Sequence, residues 1–415
     1  YWDLDFSPKT TLSLGACRER TLELLEEATR LRLISDVPLG AFLSGGVDSS
    51  AVVYMMSRAS RGAVKTFSIG FEEATHNELP YAKIVAERFG TEHHEFIVRP
   101  DAIALLPKLV WYYNEPYADS SALPSYYVAQ MTRRQVTVAL NGDGGDENFG
   151  GYERFLAARV AERFARLPRW LRGSIERAVG GSLRDSLAHN NLPAKLKRFL
   201  AMASKPYRER HYNWMTIFRD SEKTALFCAD FRRELTGVSS FAYLDRIFDQ
   251  GTSADVVDQV MYADIMSYLP EDLLVKMDIA AMANSLEGRS PFLDHKLLEF
   301  SASLPSDYKI RGGTLKYVLK SALRGKLPDS ILDRSKMGFG VPVNDWFRGS
   351  LQKYTREILL DPVALNRGYF DQDALRRLIE DHVQGRANNG ARIWALLNLE
   401  LWHRIFIDKS LSVTG

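Results

Sequence analysis

Phe42-Leu43-Ser44-Gly45-Gly46-Val47-Asp48-Ser49-Ser50 is the stretch that decides the fold. Led in by Asp36-Val37-Pro38-Leu39-Gly40-Ala41, it ends a buried strand at Phe42 and Leu43, turns tightly from Ser44 to Asp48, and opens a helix at Ser49. A strand, a Gly-Gly turn and a helix N-terminus together make a site for an anion. The first N–H groups of a helix have no partner within it and carry partial positive charge. Gly45 and Gly46 let the backbone approach a ligand closely, and Ser44, Ser49 and Ser50 add hydroxyl donors. No Gly-Lys-Ser/Thr ending follows, which excludes a Walker A loop. Asp48 puts a carboxylate inside the phosphate site, a placement that makes sense when a metal ion bridges the two.

Working outward, Gly15 to about Ser35 has helical spacing at Cys17, Thr21, Leu24, Leu25, Ala28 and Leu31. Val64 to Phe71 is a second strand, Glu95 to Val98 a third, and Val136 to Leu140 a strongly β-branched fourth. Helical patterns lie between them, from Asn77 to Gly90, Ala102 to Trp111 and Tyr126 to Arg134. Strands alternating with helices predict a doubly wound, mostly parallel α/β sheet, with ligands at the carboxyl ends of its strands. After Gly151 helical periodicity dominates, and the chain divides on this reading into a linker and lead-in segment (1–30), an α/β core (31–152) and a mainly helical region (153–415).

At 415 residues and 46% hydrophobic content, the chain can bury one large core or two ordinary ones. Only Cys17 and Cys228 are present, too few for a disulfide framework or a cysteine metal site, and a reducing cytoplasm fits. No apolar run reaches the roughly 18 residues of a membrane span, so no membrane partner is expected. A net charge of +2 calls for no polyanionic partner. Between Glu153 and Arg210, fourteen Lys/Arg stand against five Asp/Glu. Packing and solvation account for that excess better than RNA docking, because no aromatic–basic module accompanies it. His93-His94 lacks a third ligand at metal spacing and reads as structural.

About a hundred residues beyond the first loop comes Asn141-Gly142-Asp143-Gly144-Gly145-Asp146-Glu147-Asn148-Phe149-Gly150-Gly151-Tyr152. The first loop resembles the pyrophosphate loop of ATP pyrophosphatases, the adenine nucleotide α-hydrolase-like fold. This second run is similar to the matching segment of the synthetase domain of class B, glutamine-dependent asparagine synthetases. Leu286-Glu287-Gly288-Arg289-Ser290-Pro291-Phe292-Leu293-Asp294, the preceding Tyr268 to Asp278, and the late Lys336-Met337-Gly338-Phe339-Gly340 also resemble that family's motifs. Together the matches run from about residue 30 to 405.

The resemblance implies ATP as co-substrate, with Phe42, Leu43 and Ile69 against the adenine and Ser44, Gly45, Gly46, Asp48, Ser49 and Ser50 around the pyrophosphate. Asn141 and Gly142 join the nucleotide site, and Asp48 and Asp146 match the family's Mg²⁺ ligands. Lys336 is the candidate for stabilising charge that develops during adenylation. Asp143 is assigned both catalysis and substrate contact, with Asp119, Ser121 and Asp272 as further substrate contacts and Ser120 beside them. Glu271, Glu287 and Arg289 fit salt bridging as well as catalysis. Two departures bear on the acceptor: Asp143 stands where the family often has Glu, and Asn141 where Ser is common. The shorter carboxylate shifts a contact by about 1.5 Å.

By this resemblance the reaction is ATP-dependent amide synthesis, with aspartate adenylated and ammonia delivered from a glutaminase domain or subunit outside this chain. Trimming of that domain is the favoured explanation, and a homodimer is compatible with the sequence. The alternatives are a lactam-forming or other amidotransferase of the same family and, in another class, a tRNA-modifying or RNA-binding pyrophosphatase. A non-catalytic scaffold is disfavoured by the intact Asp48, Asp146 and Lys336.

Overall fold

A computed structural model describes residues 2–71, 78–98, 102–168, 170–175, 192–334 and 340–413. It carries five parallel strands, β1 (Leu39–Phe42), β2 (Lys65–Phe71), β3 (Glu92–Val98), β4 (Val138–Leu140) and β5 (Glu287–Arg289), in the order β3-β2-β1-β4-β5. All four pairings are parallel. The α/β expectation therefore holds, and the order explains where a ligand belongs. The chain winds outward from β1 through β2 to β3, then crosses to the other side of β1 to lay down β4. The reversal falls between β1 and β4, the switch point where open parallel sheets leave a crevice at their strand ends. The loops after Leu43 and Leu140 both open there.

The central strands form because they are apolar on both faces, as parallel sheets between helices demand. Ala41, Val138, Ala139 and Leu140 are buried, and Leu43 N–H continues the ladder by donating to the Phe67 carbonyl at 2.8 Å. β3 begins at Glu92, earlier than its apolar residues suggest, since Lys65↔Glu92 sets its register against β2. His94 stacks on Phe67 with ring centroids 5.2 Å apart, and His93 Nδ1 lies 2.8 Å from Thr66 Oγ1. Both histidines are strand residues with structural contacts. β5 is absent from the sequence expectation because Glu287-Gly288-Arg289 offers no apolar run. It is an edge strand held by backbone pairing to β4.

The helices up to Ala165 are, in chain order, α1 (Leu14–Arg32), α2 (Val47–Ala59), α3 (Leu79–Phe89), α4 (Ala102–Tyr113), α5 (Ala122–Arg133), α6 (Gly145–Phe149) and α7 (Glu153–Ala165). α3 stops at Gly90, whose φ of 61° lets the chain leave the helix in the left-handed region. α5 starts before Tyr126 because Ala122, Leu123 and Ser125 are already buried on its inner face.

The chain folds as two compact units whose limits interleave in sequence. The first comprises Tyr1–Pro100, Ser121–Leu156 and Ile247–Val341, and the second Asp101–Ser120, Ala157–Arg246 and Pro342–Gly415. The sequence division at residue 152 misses this because the chain returns to the sheet at β5. Residues 1–30, read as linker and lead-in, are part of the first unit: Leu4 and Phe6 are buried, and Cys17, Leu24 and Leu25 belong to the main core. Within the second unit, Arg210 is buried and donates to the carbonyls of Ala203 and Lys205 at 3.1 and 2.7 Å, and Arg208 pairs with Asp245 at 2.8 Å. Arg154, in the first unit, pairs with buried Asp264 at 2.7 Å. Packing thus occupies these members of the basic segment. Among the described residues no helix is long and apolar enough to cross a membrane.

The N-terminal segment is fastened through a buried carboxylate. Asp258 is fully buried and pairs with Lys9 at 2.7 Å and with buried Lys309 at 3.2 Å, both ammonium groups lying over the Phe6 ring. Burial pushes the Lys309 ammonium down to about 8, with Asp258 opposing the shift. Asp258→Ala would strand two cations side by side. The expected loss is about 3–5 kcal/mol in urea denaturation at pH 7; an unchanged midpoint would show that the triad holds nothing.

Candidate active site

The first loop is built to present donors. Its glycines and serines leave the start of α2 open, for Gly46 stands at the N-cap without a side-chain cap. Gly45 takes φ +69°, and a Cβ there would come within 2.5 Å of the Tyr81 backbone, so only glycine fits. Ser44 Oγ and Ser49 Oγ lie 3.1 Å apart, and Gly46 N–H donates to Ser44 Oγ at 3.2 Å. Ser50 Oγ is buried with no hydrogen-bond partner among the described residues. These groups form a compact set of donors at a helix N-terminus.

The second loop closes directly on the first. A Cβ on Gly142 would lie 2.9 Å from Asp48 Cβ and 2.9 Å from the Ser49 nitrogen, and one on Gly145 would lie 2.5 Å from Asp48 Cγ. The side of Gly142 on which a side chain would project is thus occupied by the first loop. Its glycines admit Asp48. Gly151 does the same for the third member of the group: a Cβ there would reach 1.9 Å from Asp146 Oδ1 and 2.2 Å from Lys316 Cε.

Lys316 joins the two carboxylates. Its Nζ contacts Asp48 Oδ2 and lies 2.7 Å from Asp146 Oδ1, with the residue only 6% exposed. Burial alone would lower the ammonium, but Asp146 and Asp48 outweigh it and hold it above the ordinary lysine range. Lys316 was missed by the sequence reading. It follows Gly312-Gly313 and takes φ 52°, a left-handed value that side chain identity does not announce, and it is one of 54 Lys/Arg. Two carboxylates from separate loops converging on one cation also fit Mg²⁺, which favours one or two carboxylates plus phosphate oxygens and water.

Asp143 occupies the next position along the strand ends. Its N–H donates to Asn141 Oδ1 at 3.3 Å, its carbonyl accepts from Ser290 Oγ at 2.6 Å, and its Oδ2 is buried without a hydrogen-bond partner among the described residues. Burial raises its carboxyl to about 6; Lys276 pulls it back, and Asp48 and Asp146 push it further up. Beside it opens a cleft of about 420 Å³, into which Asn141, Leu274, Met277, Asp278 and Ser290 also face.

The remaining candidates fall in several places. Phe42, Leu43 and Ile69 lie at the ends of β1 and β2, with Leu43 and Ile69 buried. Asp272 is half-buried on the wide helical turn Leu269–Leu274, and Ser121 is buried just ahead of α5. Asp119 belongs to the second unit, half-buried between α4 and α5. Lys336 lies outside the described residues. Arg334 donates to the Gly45 carbonyl at 3.0 Å, pairs with Glu78 at 2.6 Å and stacks over Tyr81 at 4.0 Å. Arg289 is architectural: it pairs with Glu287 at 2.6 Å and donates to the carbonyls of Arg32 and Ile34 at 2.9 and 2.8 Å. Among the described residues no group of three or more His, Cys, Asp or Glu is placed to hold a metal by itself.

This pair of loops at the switch point has counterparts elsewhere. The asparagine synthase family model matches residues 20–404. The chain belongs to the asparagine synthase family. It is 32% identical over 410 residues to asparagine synthetase [glutamine-hydrolyzing] 1 of Bacillus subtilis, covering 99% of this chain and 62% of the relative. A putative asparagine synthetase [glutamine-hydrolyzing] of Mycobacterium bovis is 33% identical over 407 residues, covering 97% and 60%. Amidase chry2 of Gibberella zeae is 26% identical over 412 residues, covering 90% and 60%. The chain thus spans about three-fifths of the length of these curated relatives. Within this member of the asparagine synthase family, the late motifs at Arg289 and Asp294 serve to anchor α1, since Arg32 pairs with Asp294 at 3.0 Å.

Two outcomes follow from the charges. Ionising Asp143 costs more folded than unfolded, so its penalty is complete above pH 6 and gone below the ordinary value of 3.8. Without nucleotide or Mg²⁺, Asp143→Asn is expected to be more stable than the parent by about 2–3 kcal/mol at pH 7.5, with the gap closing between pH 6 and 4 in urea titrations. Lys316→Met leaves two carboxylates without their cation and should cost about 3–5 kcal/mol. Millimolar Mg²⁺ should restore part of that loss, and a variant indifferent to Mg²⁺ would disprove the shared site.

Proposed function

We propose that the chain catalyses ATP-dependent amide formation: adenylation of a carboxylate with release of pyrophosphate, then attack by ammonia to give amide and AMP. In the finer form of this reading the carboxylate is the side chain of aspartate and the product asparagine. Ammonia comes from a glutaminase domain or subunit beyond this chain, in a cytoplasmic setting. The observation that carries the proposal is the convergence of Asp48 and Asp146 on one cation, between two loops at the switch point and beside the open N-terminus of α2.

Each group then has a task. The donors from Ser44 to Ser50 hold the pyrophosphate as it leaves, with the α2 dipole favouring its charge. Asp48 and Asp146 would hold Mg²⁺, which when bound neutralises phosphate charge. Lys316 supplies a fixed positive charge at the same point, preorganised by its two carboxylates. Phe42, Leu43 and Ile69 offer strand-end backbone to the adenine. Asp143, ionised above about pH 6, accepts the proton that the attacking nitrogen must shed. Lys336 keeps the role of stabilising the acyl-adenylate's charge.

The test is pyrophosphate release from Mg·ATP with aspartate, with and without ammonium, with product assayed as asparagine. Aspartate-dependent release and asparagine are expected. Asp48→Ala and Asp146→Ala should each lower the rate by roughly 10²–10³. Bound ATP with no release under any of these conditions would sink the proposal.

A further inference from the structure

The Gly45–Gly46 peptide is held at both of its polar groups. Arg334 Nη1 donates to the Gly45 carbonyl at 3.0 Å, and Gly46 N–H donates to Ser44 Oγ at 3.2 Å. In a trans peptide these two groups point in opposite directions, so fixing one fixes the other. The local sequence alone would not hold this plane. A glycine on each side of the bond allows positive and negative φ alike, and Gly45 already takes φ +69°. A flip would turn the carbonyl to the side where Gly46 N–H now lies, beside the Ser44 and Ser49 hydroxyls. The donor set at the start of α2 would then contain an acceptor, whose oxygen repels a phosphate oxygen.

The surroundings of Arg334 suit holding the loop better than supplying charge to a ligand. Its Nη2 lies 2.6 Å from Glu78, the N-cap residue of α3, and the two side chains are only 9% and 12% exposed. That carboxylate neutralises the guanidinium at close range. The group also lies over the Tyr81 ring, 4.0 Å from its centre. Gly45 rests on the same helix, since a Cβ there would meet the Tyr81 backbone. One planar fork therefore joins the first loop to α3 and to the chain just past the short helix Asp329–Leu332.

We propose that Arg334 is a positioning residue for pyrophosphate. It sets the Gly45–Gly46 peptide so that the first loop turns donors, and no carbonyl, towards the leaving group. The inference rests on the amide-forming reading above for the identity of that anion as pyrophosphate. Arg334 acts through the backbone of the loop, with its own charge matched by Glu78.

The experiment titrates the full chain with Mg·pyrophosphate and, separately, with AMP, by calorimetry. AMP has no pyrophosphate and serves as the internal control. Arg334→Ala is expected to weaken Mg·pyrophosphate by about tenfold or more and to leave AMP within about twofold of the parent. Millimolar guanidinium, far below denaturing concentrations, should recover much of the lost Mg·pyrophosphate affinity in Arg334→Ala and leave the parent unchanged. Arg334→Lys keeps the charge and loses the fork, so it should stay weakened. Parental Mg·pyrophosphate affinity in either variant would overturn the positioning role. Equal loss of both ligands in Arg334→Ala, with no rescue by guanidinium, would reduce Arg334 to a fold contact and overturn it as well. A parent that binds Mg·pyrophosphate yet forms no amide would remove the amide-forming reading and leave this one standing. A parent that forms amide yet binds no Mg·pyrophosphate would do the reverse.

Discussion

One buried ammonium between two carboxylates sets the geometry on which the first unit's active face depends. Asp48 and Asp146 come from loops about a hundred residues apart, and neither could be buried beside the other without Lys316. Like charges at that spacing raise each other's pKa strongly, so one carboxylate would have to take a proton or the loops would part. The glycines follow from the same constraint. Gly142, Gly145 and Gly151 have no side chain because Asp48, Asp146 and Lys316 fill the places where those side chains would be. These three glycines of the second loop make room for its neighbours' charged side chains.

The sheet brings those loops together by topology. Placing β4 next to β1, on the side away from β2, opens a crevice at their carboxyl ends. The uncapped N-terminus of α2 and the carboxylate of Asp146 then lie at the same edge of the sheet. Arg334 reaches back to the Gly45 carbonyl and fixes the loop from its far side. The same face carries Asp143, whose carboxyl sits near neutrality through burial and the two neighbouring acids, against the pull of Lys276.

Much of this was legible in the sequence. β1, β2 and β4 are continuous apolar or β-branched runs, and the Ser-Gly-Gly-Val-Asp-Ser-Ser stretch marks the turn from strand into helix that the structure shows. β5 was not legible, because Glu287-Gly288-Arg289 is held by backbone pairing that leaves no side-chain pattern. Lys316 was not legible either. Its role depends on a left-handed backbone turn and on two carboxylates distant in sequence, and neither appears as local periodicity. The interleaving of the two units was hidden for a related reason: composition after residue 151 is helical in both, and only contacts assign Ile247–Val341 to the sheet. Arg289, for which the sequence allowed salt bridging as well as catalysis, pairs with Glu287 and binds backbone carbonyls at the end of α1.

That interleaving has a consequence for how the protein is made. Asp48 and Asp146 are synthesised early, but the cation that joins them follows Asp146 by about 170 residues. At roughly 5–20 residues per second, the ribosome leaves the pair without its counter-charge for on the order of ten to thirty seconds. The first half of the chain therefore cannot mature as an independent module during translation. Its central loops await a lysine from the third segment, and the nascent sheet must be kept from aggregating until that segment emerges.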